Sequence, residues 1–180
     1  MIVTDDDALA ERCRSLRNLC FQKTRFVHEE LGWNFRLSNV QAALGVAQLE
    51  RLDDTVAVKR RMGTRYNELL SGLRGIEVQK QRTSYAENIY WVYGILLKEE
   101  VPFDGAKAMK RLGEKGIGTR PFFWPMHEQP VFRKMGLFTG ESHPVAERIA
   151  RRGFYVPSGV GLSDTQLERV VQALKELMTG

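Results

Sequence analysis

Cysteine is nearly absent: Cys13 and Cys20 are the only two in 180 residues, with no CxxC and no histidine beside either. That excludes a disulfide framework and a cysteine-built structural metal site. Long apolar runs are missing too. Stretches such as Trp91 to Leu97 fall far short of the roughly 20 residues a bilayer-crossing helix needs, and no basic segment followed by an apolar one opens the chain. The expectation is a cytoplasmic protein without membrane contact. Familiar catalytic templates are also lacking, since GxSxG, HExxH, a Walker A loop and GxGxxG do not occur. Charge of one sign is not concentrated: the net +5 is spread along the chain, with Lys59, Arg60 and Arg61 close to Asp53 and Asp54. This argues against a nucleic-acid partner, which calls for basic residues gathered on one face, and it suits a small anionic ligand. Asp53 and Asp54 themselves read as a solvated helix face.

What is present, 43% hydrophobic and 27% charged residues, is enough for one good core. Ile2-Val3-Thr4 reads as a strand in need of a neighbour. Asp5-Asp6-Asp7 then starts a helix to about Leu19, with Leu9, Cys13 and Leu16 on its apolar face. From Cys20 to Leu37 periodicity is lost while large and hydrogen-bonding residues persist: Phe21, Gln22, Arg25, Phe26, His28, Trp33, Asn34 and Arg36. A loop of that length without Gly/Ser enrichment reads as functional rather than as a linker.

Ser38-Asn39-Val40-Gln41 forms a capping box. Val40, Leu44, Leu49, Leu52, Val56, Met62, Tyr66, Leu69 and Leu73 follow at helical steps, predicting one helix of about 35 residues, some 50 Å long, until Gly75 stops it. Beyond it the pattern alternates. Ile76–Val78 and 88–97 read as strands, and a helix capped by Asp104 runs to about Lys115 and stops at Gly116. The segment 117–123 is extended, with Pro121 confining it to an edge. A helix opens at Pro144 and ends at Gly153, Phe154-Tyr155-Val156 is a strand ended by Pro157, and Ser163 to Gln166 is a second capping box opening the last helix. The fold class this predicts is α/β to α+β: a remnant of a larger domain over 1–37, a long connecting helix over 38–75, and a small domain over 76–180. That small domain has a mostly antiparallel sheet with helices on one face.

Two stretches carry candidate chemistry. In Gly32-Trp33-Asn34-Phe35-Arg36-Leu37-Ser38-Asn39 a polar loop feeds a helix N-terminus, and free N–H groups, the Asn34 amide and the Arg36 guanidinium together suit a phosphate. A turn-stabilising asparagine and a surface ion pair fit the same residue types. In Gly116 to His127 a cation, aromatic rings and two prolines crowd one rigid stretch, offering stacking faces for a base or sugar. An edge strand and a packed loop, with His127 a satisfied structural histidine, fit equally well.

Taken in order, Ile2-Val3-Thr4-Asp5-Asp6, the Gly32 to Ala43 segment, Gly116 to His127, and Phe154-Tyr155-Val156-Pro157-Ser158-Gly159 resemble the second half of the DegT-type sugar aminotransferases, in particular the perosamine-synthase branch. The resemblance covers nearly the whole chain. It implies the C-terminal part of the aspartate-aminotransferase fold and an ancestral reaction that moves an amino group, from glutamate, to a 4-keto nucleotide-linked deoxysugar. It implies pyridoxal phosphate as the family's cofactor, held by a lysine upstream of the strand resembling Ile2-Val3-Thr4, so that no catalytic residue is expected here and no cofactor is expected on this chain alone. Asn34, with Arg36 as its helper, matches the position that reaches the cofactor phosphate of a neighbouring subunit. Arg120, Phe122, Phe123 and His127 fall in the region facing the nucleotide sugar. The partner expected is a second copy of the chain, and no metal is expected. The competing expectations are a dimerising or nucleotide-binding module without catalysis, and a half-enzyme complemented by a separate upstream polypeptide.

Overall fold

The computed structural model describes residues 2–21, 26–28 and 30–179, and the chain divides into two compact units, residues 1–52 and 53–180. Gln22 and Arg25, named above among the loop residues, lie outside the described residues.

The first unit is built on α1 (Asp7–Arg17) and α2 (Asn39–Leu49). Asp6 caps α1, its carboxylate accepting from the Leu9 N–H at 3.0 Å. The loop returns to the far end of this helix. The N–H groups of Trp33 and Phe35 donate to the Leu16 and Arg17 carbonyls at 2.7 and 3.0 Å, satisfying acceptors that the helix end leaves open. Ser38 and Gln41 form the expected capping box of α2. Ile2–Thr4 is not a strand, because no segment among the described residues pairs with it; Ile2 and Val3 stand in solvent.

The single long helix expected from Ser38 onward is two helices. Glu50 and Arg51 form a turn after α2, and α3 (Leu52–Leu70) starts anew with Asp53 and Asp54 in its first turn. Acidic side chains stabilise a helix N-terminus, so the same residues that read as a solvated face also favour a fresh start there.

In the second unit, β1 (Ile76–Val78), β2 (Tyr93–Leu97), β3 (Arg120–Pro121) and β4 (Gly153–Val156) form a sheet of order β1-β2-β4-β3, every pair antiparallel. Pro121 lies on the edge strand, the position in a sheet where a residue without an N–H is accommodated. Strand β2 begins at Tyr93 rather than Asn88, because Tyr90 takes a positive φ of 51° with its ring buried, which turns the chain off the ladder. The extended segment expected over 117–123 is a strand only at Arg120–Pro121. Gly75 and Gly116 adopt φ of +83° and +74° where left-handed stops were expected.

The register sets the two faces. Tyr93, Ile95, Leu97, Phe154 and Val156 share one face and join Met62, Tyr66 and Leu70 of α3, Ala108 and Leu112 of α4 (Gly105–Glu114), and the Leu167, Val170, Leu174 and Leu177 stripe of α7 (Asp164–Thr179) in one core. Each such side chain, fully buried, contributes about 2 kcal/mol. Between β3 and β4 the chain makes a 3-10 turn (Met126–Glu128), α5 (Pro130–Lys134) and α6 (Pro144–Arg152). The turn and α5 have no clear periodic signature in the sequence. Among the described residues no helix is long and apolar enough to cross a membrane.

Candidate functional site

In the first unit Asn34 and Arg36 are brought together. The Arg36 Nε–H donates to the Asn34 Oδ1 at 3.1 Å, and an antiparallel bridge between Asn34 and Asn18 fixes the backbone beneath them. Both side chains are exposed, and among the described residues no carboxylate pairs with the Arg36 guanidinium. The pairing consumes the amide oxygen of Asn34 and leaves its NH2 and the terminal guanidinium nitrogens as donors. This arrangement can bind an oxyanion. Beside it runs an open groove lined by Ile2, Val3, Cys13, Arg17, Trp33 and Arg36, where the Trp33 and Phe35 rings stack 6.2 Å apart.

In the second unit the candidates separate into exposed and embedded side chains. Arg120 and Phe123 are exposed, Phe123 at 72%. Phe122 is half-buried on the sheet face opposite the core. Its ring lies over two glycines of adjacent strands, so that a Cβ built on Gly94 or Gly153 would fall 2.5 or 2.3 Å from it, and it meets Tyr155 edge-on at 6.0 Å. His127 is embedded. Its Nε2 bonds the Glu147 Oε1 at 2.9 Å, its ring packs edge-on against His143 at 4.8 Å, and its carbonyl accepts from the Arg133 Nε–H.

Glu147 gathers this corner. The same Oε1 accepts from the His143 N–H at 2.8 Å and the Ser142 hydroxyl at 3.3 Å, and these bonds, the backbone one first, then His127, lower the carboxyl below its usual range. Arg151 donates to the Glu128 Oε1 at 2.7 Å and sits 5.3 Å from the centre of the Trp124 ring, which holds that indole in place.

Residues that motif reasoning did not single out fix the Phe154 to Gly159 segment. The Tyr66 hydroxyl donates to the Pro157 carbonyl at 2.8 Å, and the Lys59 ammonium donates to the Trp91 carbonyl at 3.0 Å and also to that of Ser158. Burial pushes the Lys59 ammonium below its usual range and the Tyr66 hydroxyl above its own. Tyr66 stacks on Tyr93 at 4.5 Å, and Asn67 bridges the hydroxyls of Tyr93 and Tyr90 at 2.6 and 2.9 Å. Helical spacing marks Tyr66 as apolar, but its carbonyl partner lies 91 residues away, so no local signal reveals the bond.

A connecting helical segment that leads into a small antiparallel sheet domain, preceded by a capped loop suited to phosphate, defines the C-terminal portion of a pyridoxal-phosphate-type sugar aminotransferase fold. S. venezuelae DesV superposes with a TM-score of 0.83 at 28% identity, over 99% of this chain and 46% of that one. The family model for the DegT/DnrJ/EryC1/StrS aminotransferase family matches residues 1–175, and the chain belongs to that family. It is 32% identical to the GDP-perosamine synthase of Caulobacter vibrioides over 99% of its length and 31% identical to that of Vibrio cholerae over 97%. It spans about half the length of these curated relatives, 47% of each. The family is pyridoxal-phosphate-dependent.

Proposed function

We propose that these 180 residues supply the phosphate-facing loop and the sugar-facing domain of an aminotransferase acting on a 4-keto nucleotide-linked deoxysugar with glutamate as amino donor, and that the cofactor-bearing lysine comes from sequence outside them. The observation that carries this reading is the Asn34–Arg36 pair: two hydrogen-bonded side chains whose remaining donors are exposed at the entrance to a capped helix. Pyridoxal phosphate, when bound, supplies the carbonyl that takes up and releases the amino group. The part played by this chain is binding and orientation. The Asn34 amide and Arg36 guanidinium hold the phosphate of a neighbouring subunit's cofactor. Arg120 meets the anionic diphosphate of the substrate, Phe123 offers a face to its base or sugar, and Phe122 and His127 hold that loop in shape. The proposed assembly is a homodimer; the apolar side chains Val40, Leu44 and Leu49 that α2 leaves exposed support it.

The test is an absorbance scan after incubation with pyridoxal phosphate and desalting, followed by borohydride reduction and intact mass. The 180-residue chain alone is expected to stay colourless and unmodified. Co-expressed with the lysine-bearing N-terminal part of a relative, it is expected to yield a visible band, and Asn34→Ala to weaken cofactor retention about tenfold, the worth of one charge-assisted bond. A reduced adduct on a lysine of the chain alone overturns the proposal. A colourless co-expressed complex leaves the non-catalytic interaction module as the better reading.

A further inference from the structure

The 3-10 turn Met126–Glu128 and the first turns of α6 gather three side chains that the aminotransferase reading uses only as packing. One potential ligand atom from each of His127, Glu128 and Glu147 lies within 4.8 Å of the others. Two further facts set this corner apart from an ordinary ion pair. The His127 side chain is only 6% exposed, so its ring is fixed in place, facing Glu147. The Glu128 side chain, 12% exposed, gives Oε1 to Arg151, while its Oε2 is buried and, among the described residues, has no hydrogen-bond partner. A buried carboxylate oxygen without a donor is costly, and Arg151 does not relieve it, because its hydrogen bonds go to the Glu128 Oε1 and the Glu147 carbonyl. A bound cation would satisfy it.

We propose that His127 Nε2 and one carboxylate oxygen each from Glu128 and Glu147 form a divalent metal site of the transition-metal class that accepts mixed imidazole and carboxylate ligands. The spacing supports it. His127 Nε2 and Glu147 Oε1 are 2.9 Å apart. Two ligands each about 2.1 Å from a metal and at right angles to it are about 3.0 Å apart, so this pair already has the separation of neighbouring ligands in an octahedral or five-coordinate shell. Opposite ligands of such a shell are about 4.2 Å apart, so the 4.8 Å limit closes with less than about 1 Å of side-chain movement. Metal binding takes the Nε2 lone pair, so the ring binds as the neutral imidazole with its proton on Nδ1: the Nε2 proton passes to solvent from an imidazolium, or shifts to Nδ1 where the ring starts neutral. The His143 N–H and the Ser142 hydroxyl, already bonded to the Glu147 Oε1, hold that carboxylate in place as outer support. Arg151 neutralises one of the two carboxylates, which keeps the site weaker than a purely anionic one.

The test is a Co2+ titration of the chain followed by visible absorption. One equivalent should bind, with d–d bands, without the intense near-ultraviolet band that Cys13 or Cys20 thiolates would add, and Zn2+ should displace it. Glu128→Gln, which keeps the shape and the bond to Arg151, should weaken binding at least tenfold, whereas His143→Gln, at an exposed neighbouring ring, should change it less than twofold. Circular dichroism checks that each variant folds. If Glu128→Gln does not fold, X-ray absorption of the Co2+-loaded parent chain decides, and a shell of one imidazole with oxygen ligands is expected. Absence of saturable binding, a sulfur-containing shell, or wild-type affinity in folded Glu128→Gln overturns the proposal.

Discussion

The packing of Phe122 on two bare glycines can be tested as a closed cycle. A methyl group placed at Gly94 would lie 2.5 Å from the Phe122 Cζ, and its next nearest neighbours stand at 3.4 and 3.5 Å, so the phenyl ring accounts for almost the whole clash. Gly94→Ala should therefore cost about 1–3 kcal/mol, the usual range for overpacking. Phe122→Ala strips a half-buried ring from the sheet, and about 2 kcal/mol is expected, below the 3–5 kcal/mol of a fully buried phenylalanine. In the double variant the ring that caused the clash is gone, and the new methyl group refills part of its space. The combined loss should fall short of the sum by at least about 1 kcal/mol, a shift of roughly 2–4 °C in Tm for a chain of this size. Thermal unfolding followed by circular dichroism on the parent, both single variants and the double variant supplies the four corners. Strict additivity, or a neutral Gly94→Ala, would refute the packing role of Phe122 and return its ring to the ligand-facing set.

Three further outcomes follow from the hydrogen bonds. Tyr66→Phe leaves the Pro157 carbonyl without its donor and should lower stability by about 1–2 kcal/mol in urea unfolding, with an unchanged m-value. Ser38→Ala removes one half of the α2 capping box and should cost the first unit about 1 kcal/mol, visible as faster amide exchange at Gln41. The carboxyl of Glu147 is held below its ordinary range in the folded chain, so its contribution is present above the unfolded value and is lost as pH falls through the folded one; Glu147→Gln should flatten the acid limb of a stability–pH profile below about pH 4 and leave its alkaline limb unchanged.

Local signals were legible where a single residue type decides the backbone. Ser38, Asp104 and Ser163 mark helix starts because their side chains accept from N–H groups three residues on, and each does so in the structure; the acidic start Asp5-Asp6-Asp7, read from the helix dipole, is capped by Asp6 in the same way. Gly116 marks a stop, and Pro121 marks an edge strand, for equally local reasons. The ordered motifs from Gly32 to Asn39 and from Gly116 to His127 likewise pointed to the family that the comparisons bear out. The errors came where periodicity ran through a break. Apolar spacing continues across Glu50 and Arg51, yet the acidic pair Asp53 and Asp54 begins a second helix there. Similarly, β-forming residues from Asn88 onward predict ladder positions that Tyr90 abandons to bury its ring.

The sequence by itself determined the caps, the stops, the antiparallel domain class and the family, because each rests on bonding within a few residues or on motifs in a fixed order. Only the tertiary structure decided what each candidate side chain does. Whether Phe122 faces a ligand or covers Gly94 and Gly153, whether His127 is free or bound to Glu147, and which carbonyls Lys59 and Tyr66 hold all depend on atoms 20 to 99 residues apart in the chain. Contacts at such separations come from strand pairing and core packing, and no local pattern records them.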